Sequence, residues 1–325
     1  MHPLVFSPLY RTYLWGGRRF ETRLGRCLPE GDTFAESWEL VDHGSDQSVV
    51  RTGPLAGATL GQLVRERGAE LMGRHAGLSA FPLLFKFLDA KRDLSVQVHP
   101  DDTRAATLTP PDRGKTEAWY VVDADPGSQI YAGLRDGVTT EDLRAAILDG
   151  TLDTCLHAFA AEPGDCIFIP AGTVHAIGAG LVIAEIQQSS DVTYRLFDWN
   201  RVGPDGKPRD LHIDAGLEAV TQFGPVVPRR ADASSESTDG LSPLVTCDYF
   251  GLDRGATADD AGRDWAVGGD NAPHFLAVLT GSLTLDPHWQ LPPLAAGDCV
   301  LLPASLGSQA IHGGPGTQFL HVSLP

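Results

Sequence analysis

The sequence holds 325 residues, 42% of them hydrophobic, with 36 glycines, 23 prolines and a formal net charge of −17 at pH 7. That length allows two domains with a core each, and the composition is that of a turn-rich globular chain, not a disordered one. The charge argues against nucleic acid as a partner, and it leaves any anionic ligand to be held by a few local cations against the overall field.

The first residues, MHPLVFSPLYRTYLWGG, show no charged segment followed by an apolar one, so no secretion signal is expected. No apolar run approaches the roughly 20 residues that span a bilayer. The five cysteines, Cys27, Cys155, Cys166, Cys247 and Cys299, are widely spaced and form no C-x-x-C pair. They suit reduced thiols and a cytoplasmic location.

Residues 1–58 are broken by Gly, Pro and Asp, with strand-like pieces such as SWELVD over 37–42 and a turn at Trp15-Gly16-Gly17. TLGQLVRERGAELM over 59–72 places Leu60, Leu63, Val64 and Leu71 at helical spacing behind a threonine N-cap, which predicts an amphipathic helix. Lys86 interrupts the apolar run PLLFKFL over 82–88; such a lysine either snorkels out or is aimed at a partner. Strands are expected over 94–99 and 115–122, then a helix over 139–150 with a threonine cap, acidic first turn and closing glycine. Strands follow over 181–186 and 193–199, and His175 lies on a strand after a Pro-Ala-Gly turn. GPVVPRRADASSESTDG over 224–240 reads as an exposed linker, and 241–325 as short β runs without a good helix.

Within SVQVHPDDTRAATLTPPDRGKTE over 95–117, Ser95, Gln97 and His99 are two residues apart, as are Lys115 and Glu117. On strands each set would share a face. Imidazole, amide and carboxylate beside an ammonium group suggest a metal site next to an anion or proton-transfer site; the alternative is a solvated polar face. Two segments also read almost alike: GDCIFIPAG over 164–172 and GDCVLLPAS over 297–305, with five of nine positions identical. This suggests a duplicated β unit, in which Ser308 stands where the first copy has His175.

Gly164, Pro170, Gly172 and His175 are spaced like the second motif of the cupin superfamily, whose turn delivers a histidine into a jelly-roll barrel. More closely, SVQVHPDD, GKTEAWYV, IPAGTVHAIG and EIQQSSDVTYRLFDW resemble the short bacterial form of the type I mannose-6-phosphate isomerases, over roughly residues 5–223. Trp15-Gly16-Gly17, Glu36-Ser37-Trp38-Glu39 and Phe85-Lys86 add to the match. The resemblance implies a mostly β protein of two cupin-like barrels. Its parts would be an N-terminal segment (1–81), a catalytic metal-binding domain (82–223), the linker (224–240) and a degenerate cupin without metal ligands (241–325). It implies one Zn²⁺ per chain on Gln97, His99, Glu117 and His175. It also implies Arg195, Lys115 and Glu185 as catalytic residues, and Lys86, Ser95 and Trp15 as substrate contacts.

The expected reaction interconverts mannose 6-phosphate and fructose 6-phosphate through an enediolate, with Glu185 or Lys115 handling protons. Glu185 could instead be the buried salt-bridge partner of Arg195, and Lys115 a solvated strand residue. His274, His321 and the other histidines outside the motifs read as ordinary, and Asp101-Asp102 as turn formers. The rivals are an Fe(II) cupin dioxygenase, since two histidines and a carboxylate also make a facial triad, and a non-catalytic sugar-phosphate-binding cupin. Sugar phosphate is the one partner expected, with neither nucleic acid nor membrane; monomer and homodimer remain equally open.

Overall fold

The computed structural model describes residues 1–31, 33–202, 206–230 and 240–325. Strands dominate it, and the expected mostly β, cupin-like fold is what it shows. No helix among the described residues is long and apolar enough to cross a membrane, and all five cysteines are free. The chain forms two compact units: Thr12–Gly17 with Phe87–Arg229, and Met1–Arg11 with Arg18–Lys86 and Arg230–Pro325.

In the first of these units, one antiparallel sheet runs in the order Leu156–Ala160, Gln129–Leu134, His175–Ile177, Val96–Val98, Tyr194–Phe197. A second sheet sets Cys166–Ile169, Glu117–Ala124 and Leu181–Gln188 side by side. Strand alternation explains the interior. Trp119, Val121, Ile167, Ile169, Leu181 and Ile183 of one sheet meet Ile130, Ala132 and Ile177 of the other in a single buried cluster. Residues two apart share a face, so Glu117 continues the stripe of Trp119 and Val121, His175 that of Ile177, and Glu185 and Gln187 that of Ile183. The apolar interior therefore ends in a group of buried polar side chains. The outer face of the first sheet carries Val96, Val98, Val174, Ala176 and Leu196. It is covered by Leu143 and Ile147 of the helix Thr140–Leu148 and Leu217 of the helix Ile213–Ala219.

Both expected helices form. Leu60–Met72 is capped by Thr59, whose hydroxyl accepts from Gln62 N at 3.1 Å, and it buries Leu60, Leu63, Val64 and Leu71. Thr140–Leu148 has a full capping box between Thr139 and Asp142. Ile213–Ala219 has no such start signal, since His212 at its N-cap makes no side-chain cap bond.

In the second unit, the strands Ser242–Thr246, Gly251–Ala256, Gln318–Ser323, His274–Thr280 and Cys299–Leu302 form one sheet. Arg263–Val267, Gln309–Gly313, Ser282–Leu285 and Leu294–Ala295 form another. Leu276, Val278, Val300, Leu302 and Phe319 meet Trp265, Val267, Leu283, Leu285 and Ile311 between them. Most of the N-terminal segment clusters with this sandwich. Leu4 exchanges two 2.8 Å backbone bonds with Leu301, and Arg26 pairs with the buried Glu39 at 2.8 Å.

Of the stretch read as a linker, residues 224–229 are bound along the first unit. Leu134 N donates to Gly224 O at 2.9 Å and Arg229 N to Cys166 O at 2.8 Å. Residues 231–239 lie outside the described residues.

The repeat has the same structure in both copies. Gly164 and Gly297 take φ of 94° and 85°. Asp165 accepts from Glu162 N at 2.8 Å, and Asp298 from Ala295 N at 2.9 Å. Ile169 lies opposite Glu117 and Leu302 opposite His274, at the same step of each copy.

Candidate metal centre and active site

The polar end of the first unit's interior gathers residues from four strand ends. Gln97 lies directly opposite His175, and Arg195 directly opposite Gln97, in adjacent strands. Glu117 opens its strand and lies opposite Gln187. His99 falls just after the strand Val96–Val98, and Lys115 falls two residues before the strand Glu117–Ala124, its backbone N–H donating to Pro100 O at 3.1 Å. The expected strands over 94–99 and 115–122 are thus shorter at this end. The reason is that the chain leaves the ladder here to form the turn that Asp101 caps by accepting from Arg104 N.

His99, Glu117 and His175 are buried, and their ligand atoms all lie within 4.8 Å of one another. His175 Nε2 is 3.3 Å from Glu117 Oε1, and His99 Nε2 is 3.6 Å from Glu117 Oε2. Each ring is fixed from behind: His99 Nδ1 donates to Val192 O at 2.8 Å and His175 Nδ1 to Thr173 O at 2.9 Å. A carbonyl can only accept, so each Nδ1 carries a proton and each Nε2 faces Glu117. Burial pushes the His175 imidazolium down to about 4, against the opposing pull of the Thr173 carbonyl, so the neutral, ligand-competent ring prevails at neutral pH. Both carboxylate oxygens of Glu117 are buried without a hydrogen bond among the described residues. Two imidazoles and a carboxylate grouped in this way fit a divalent cation. Gln97 Nε2 is 3.3 Å from His175 Nε2, so a ligand role for Gln97 needs a half-turn of its amide to bring the oxygen inward.

Lys115 stands against this group. Its Nζ is 3.1 Å from Glu117 Oε2, 3.3 Å from His99 Nε2 and 3.9 Å from Glu185 Oε1. It is buried, not a solvated strand residue. Glu185 is buried as well, and the cation at 3.9 Å from it is Lys115; Arg195 Nη1 donates to Asp210 O at 2.9 Å. Arg195 is half-buried on the face it shares with Gln97, with its Nε buried and unpartnered among the described residues. Burial and the nearby Arg209 lower its pKa. Ser95 is buried at the start of the same row as Gln97 and His99.

The remaining two expected contacts are placed differently. Trp15 packs on the apolar cluster of Leu88, Trp119 and Ile177 and stacks on Tyr13 with centroids 5.7 Å apart. Lys86 belongs to the other unit, where it is buried with Nζ 3.6 Å from Glu36 and 5.9 Å over the Trp38 ring. Of the two options for this lysine, it takes the aimed one.

The sequence reading missed the frame that holds Lys115 and Glu117. Thr116 N donates to Gln188 Oε1 at 2.9 Å, and Gln188 Nε2 to Asp102 Oδ1 at 3.0 Å, which also accepts from Gly114 N at 2.8 Å. Thr116 Oγ1 accepts from Ala171 N at 3.1 Å, joining this frame to the turn before His175. The Asp-Asp turn signal was visible; its role in holding Gly114 and Gln188 depends on residues 12 and 86 positions away.

Known proteins bear on this arrangement. The family model "Phosphomannose isomerase type I, catalytic domain" matches residues 4–125. The chain is 36% identical to the mannose-6-phosphate isomerase ManA of Bacillus subtilis over 314 residues, 96% of each protein. It is 35% identical to a mannose-6-phosphate isomerase of Streptococcus mutans, covering 96% of this chain and 95% of that one. The crystal structure of the mannose 6-phosphate isomerase from Bacillus subtilis superposes with a TM-score of 0.85 at 31% identity, covering 99% of both chains. Both the sequence likeness and the structural likeness run through the two units, with the metal-type cluster in one of them. The chain belongs to the type I phosphomannose isomerase family.

Proposed function

We propose that this protein is a mannose-6-phosphate isomerase that works with one Zn²⁺ per chain held by His99, Glu117, His175 and Gln97. The observation that carries the reading is Lys115 touching both Glu117 and His99 in a chain of this family. Converting an aldose to its ketose moves a proton between C2 and C1 and spreads negative charge over O1 and O2. The site therefore needs a proton carrier, cationic support and a polarising group. Zinc held by these residues would supply a Lewis acid for the sugar oxygens.

The chain's own residues do the rest. Glu185 and Lys115, 3.9 Å apart, form a buried acid–base pair able to take and return the proton. Arg195 offers a permanent charge and a free Nε to the enediolate or the phosphate. Ser95 offers a hydroxyl on the row of Gln97 and His99. Trp15 and Lys86 are proposed as substrate contacts on the family resemblance alone. Burial of His99, Lys115, Glu117, His175 and Glu185 strengthens the charge interactions among them.

The same two-histidine, one-carboxylate set would suit an Fe(II) oxygenase. A lysine in contact with the ligands and a second cation at Arg195 suit a phosphorylated sugar better. The deciding experiment is a coupled assay on mannose 6-phosphate with and without chelator, alongside metal analysis. Activity should vanish with chelator and return with Zn²⁺, and His175→Ala should lose both metal and activity. Protein that contains iron, consumes oxygen and ignores fructose 6-phosphate would overturn the reading; protein that binds the sugar phosphate without converting it would point to a binding module.

A further inference from the structure

The second barrel lacks a histidine at Ser308, but its interior also ends in buried polar groups. His274 lies opposite Leu302 as Glu117 lies opposite Ile169. His321 lies opposite Leu276, two residues along from His274, as Glu185 lies opposite Trp119, two along from Glu117. The register thus sets His274 and His321 where the first barrel holds Glu117 and Glu185. Both rings are buried, and they are joined in a line. Asp253 Oδ2 is 2.9 Å from His321 Nδ1, His321 Nε2 is 2.8 Å from His274 Nδ1, and His274 Nε2 is 2.8 Å from Asp270 Oδ1. The ring planes are 9° apart with centroids 5.1 Å apart. That is an end-to-end, nearly coplanar contact between ring edges, the geometry an N–H···N bond prefers.

Counting protons decides what this line holds. Two neutral imidazoles carry two N–H protons between them. Every way of placing two protons on the four nitrogens leaves at least one of the three short contacts with facing lone pairs and no hydrogen. Three protons satisfy all three contacts. We propose that His274 and His321 form a second cation site, one that takes a single proton shared between the two imidazoles and clamped by Asp253 and Asp270. An imidazole is the more basic partner, by about two to three pKa units over a carboxylate, so the third proton rests on the rings. A metal ion does not fit the gap: two nitrogens each about 2.0–2.1 Å from a tetrahedral zinc stand about 3.3 Å apart, more than the 2.8 Å here.

The surrounding charges balance. Asp253 comes from Gly251–Ala256, and Asp270 from the loop before His274. Arg74 Nη1 lies 3.0 Å from Asp270 Oδ2, and Arg74 Nε donates to His75. Ser323 lies opposite His274 on one side, and on the other the strand Cys299–Leu302 brings no charged group. Two carboxylates thus face one imidazolium and one guanidinium. Burial and the charge of His321 pull the His274 ring below the ordinary histidine value, and Asp270 pulls it back; the shared proton belongs to the pair and leaves in one step.

Long-range ¹H–¹⁵N correlation spectra of the full-length, metal-loaded chain test this directly. The two rings should show three nitrogen-bound protons at pH 6 and two above a single transition. Asp270→Asn and Asp253→Asn should each move that transition down by about one pH unit while leaving isomerase turnover at its wild-type level. Two nitrogen-bound protons at pH 6, or a transition that neither substitution moves, would overturn the proposal. So would a second metal equivalent per chain that His321→Gln removes.

Discussion

His99 and His175 are each held by a backbone carbonyl, of Val192 and Thr173, which fixes a protonated nitrogen on the side away from Glu117. Arg195→Ala should keep the metal, because the residue touches none of the three buried ligands, and should lower turnover about 10²–10³-fold if it supports the developing oxyanion. Metal analysis beside steady-state kinetics separates the two effects, and unchanged turnover would remove Arg195 from the mechanism. Lys115→Met should likewise abolish turnover with the metal retained, since the ammonium contacts ligands without being one. Gly172 is the backbone counterpart of these residues: its φ of 87° precedes His175 by three residues, and a Cβ there would run into Thr221. Gly172→Ala should destabilise the fold by about 1–3 kcal/mol and weaken metal binding, read by denaturation and by competition with a chelator.

The elements around the site make separable contributions. The helix Thr140–Leu148 covers the outer face of the ligand-bearing sheet through Leu143 and Ile147, and its capping box is local. Thr139→Ala should cost about 1 kcal/mol with metal affinity unchanged, because the cap lies outside the barrel. The strand Tyr194–Phe197, which carries Arg195, is followed by Asp198, whose carboxylate accepts from Arg201 and Arg209. Burial pushes the Asp198 carboxyl up, but the Arg209 and Arg201 hydrogen bonds outweigh it and its pKa ends low. A carboxyl with a lowered folded pKa adds stability that is complete above its ordinary value and lost as pH falls through the folded one. Asp198→Asn should therefore flatten part of the acid limb of the stability profile, measured by thermal melts between pH 3 and 7.

At the scale of the molecule, one metal equivalent per chain is expected. The repeat rebuilt the scaffold of the barrel but put Ser308 and His274 where the first copy has His175 and Glu117. Metal analysis of the wild-type chain giving about two equivalents would contradict this. The chain's net charge of −17 opposes an anionic ligand, so the proposed sugar-phosphate binding would rest on the local placement of Lys115 and Arg195, not on the long-range field.

What depends on near neighbours along the chain is legible in its residues. The Thr59 and Thr139 caps, the Gly-Asp turn of each repeat and the two-residue spacing of Gln97 with His99 are local rules, and they hold in the fold. Spacing also brought His99 and Glu117 into one candidate site, and family resemblance added His175, which the fold places within reach of both. The rest required the folded chain. Whether Lys115 was solvated or aimed at a ligand depended on a carboxylate 70 positions away at Glu185 and on burial by other strands. His274 and His321, which read as ordinary histidines, became a bonded pair because their strands lie side by side in a register that neither local segment specifies. Local chemistry is written in adjacent residues; a shared proton or a shared metal requires side chains whose separation in sequence carries no signal of their separation in space.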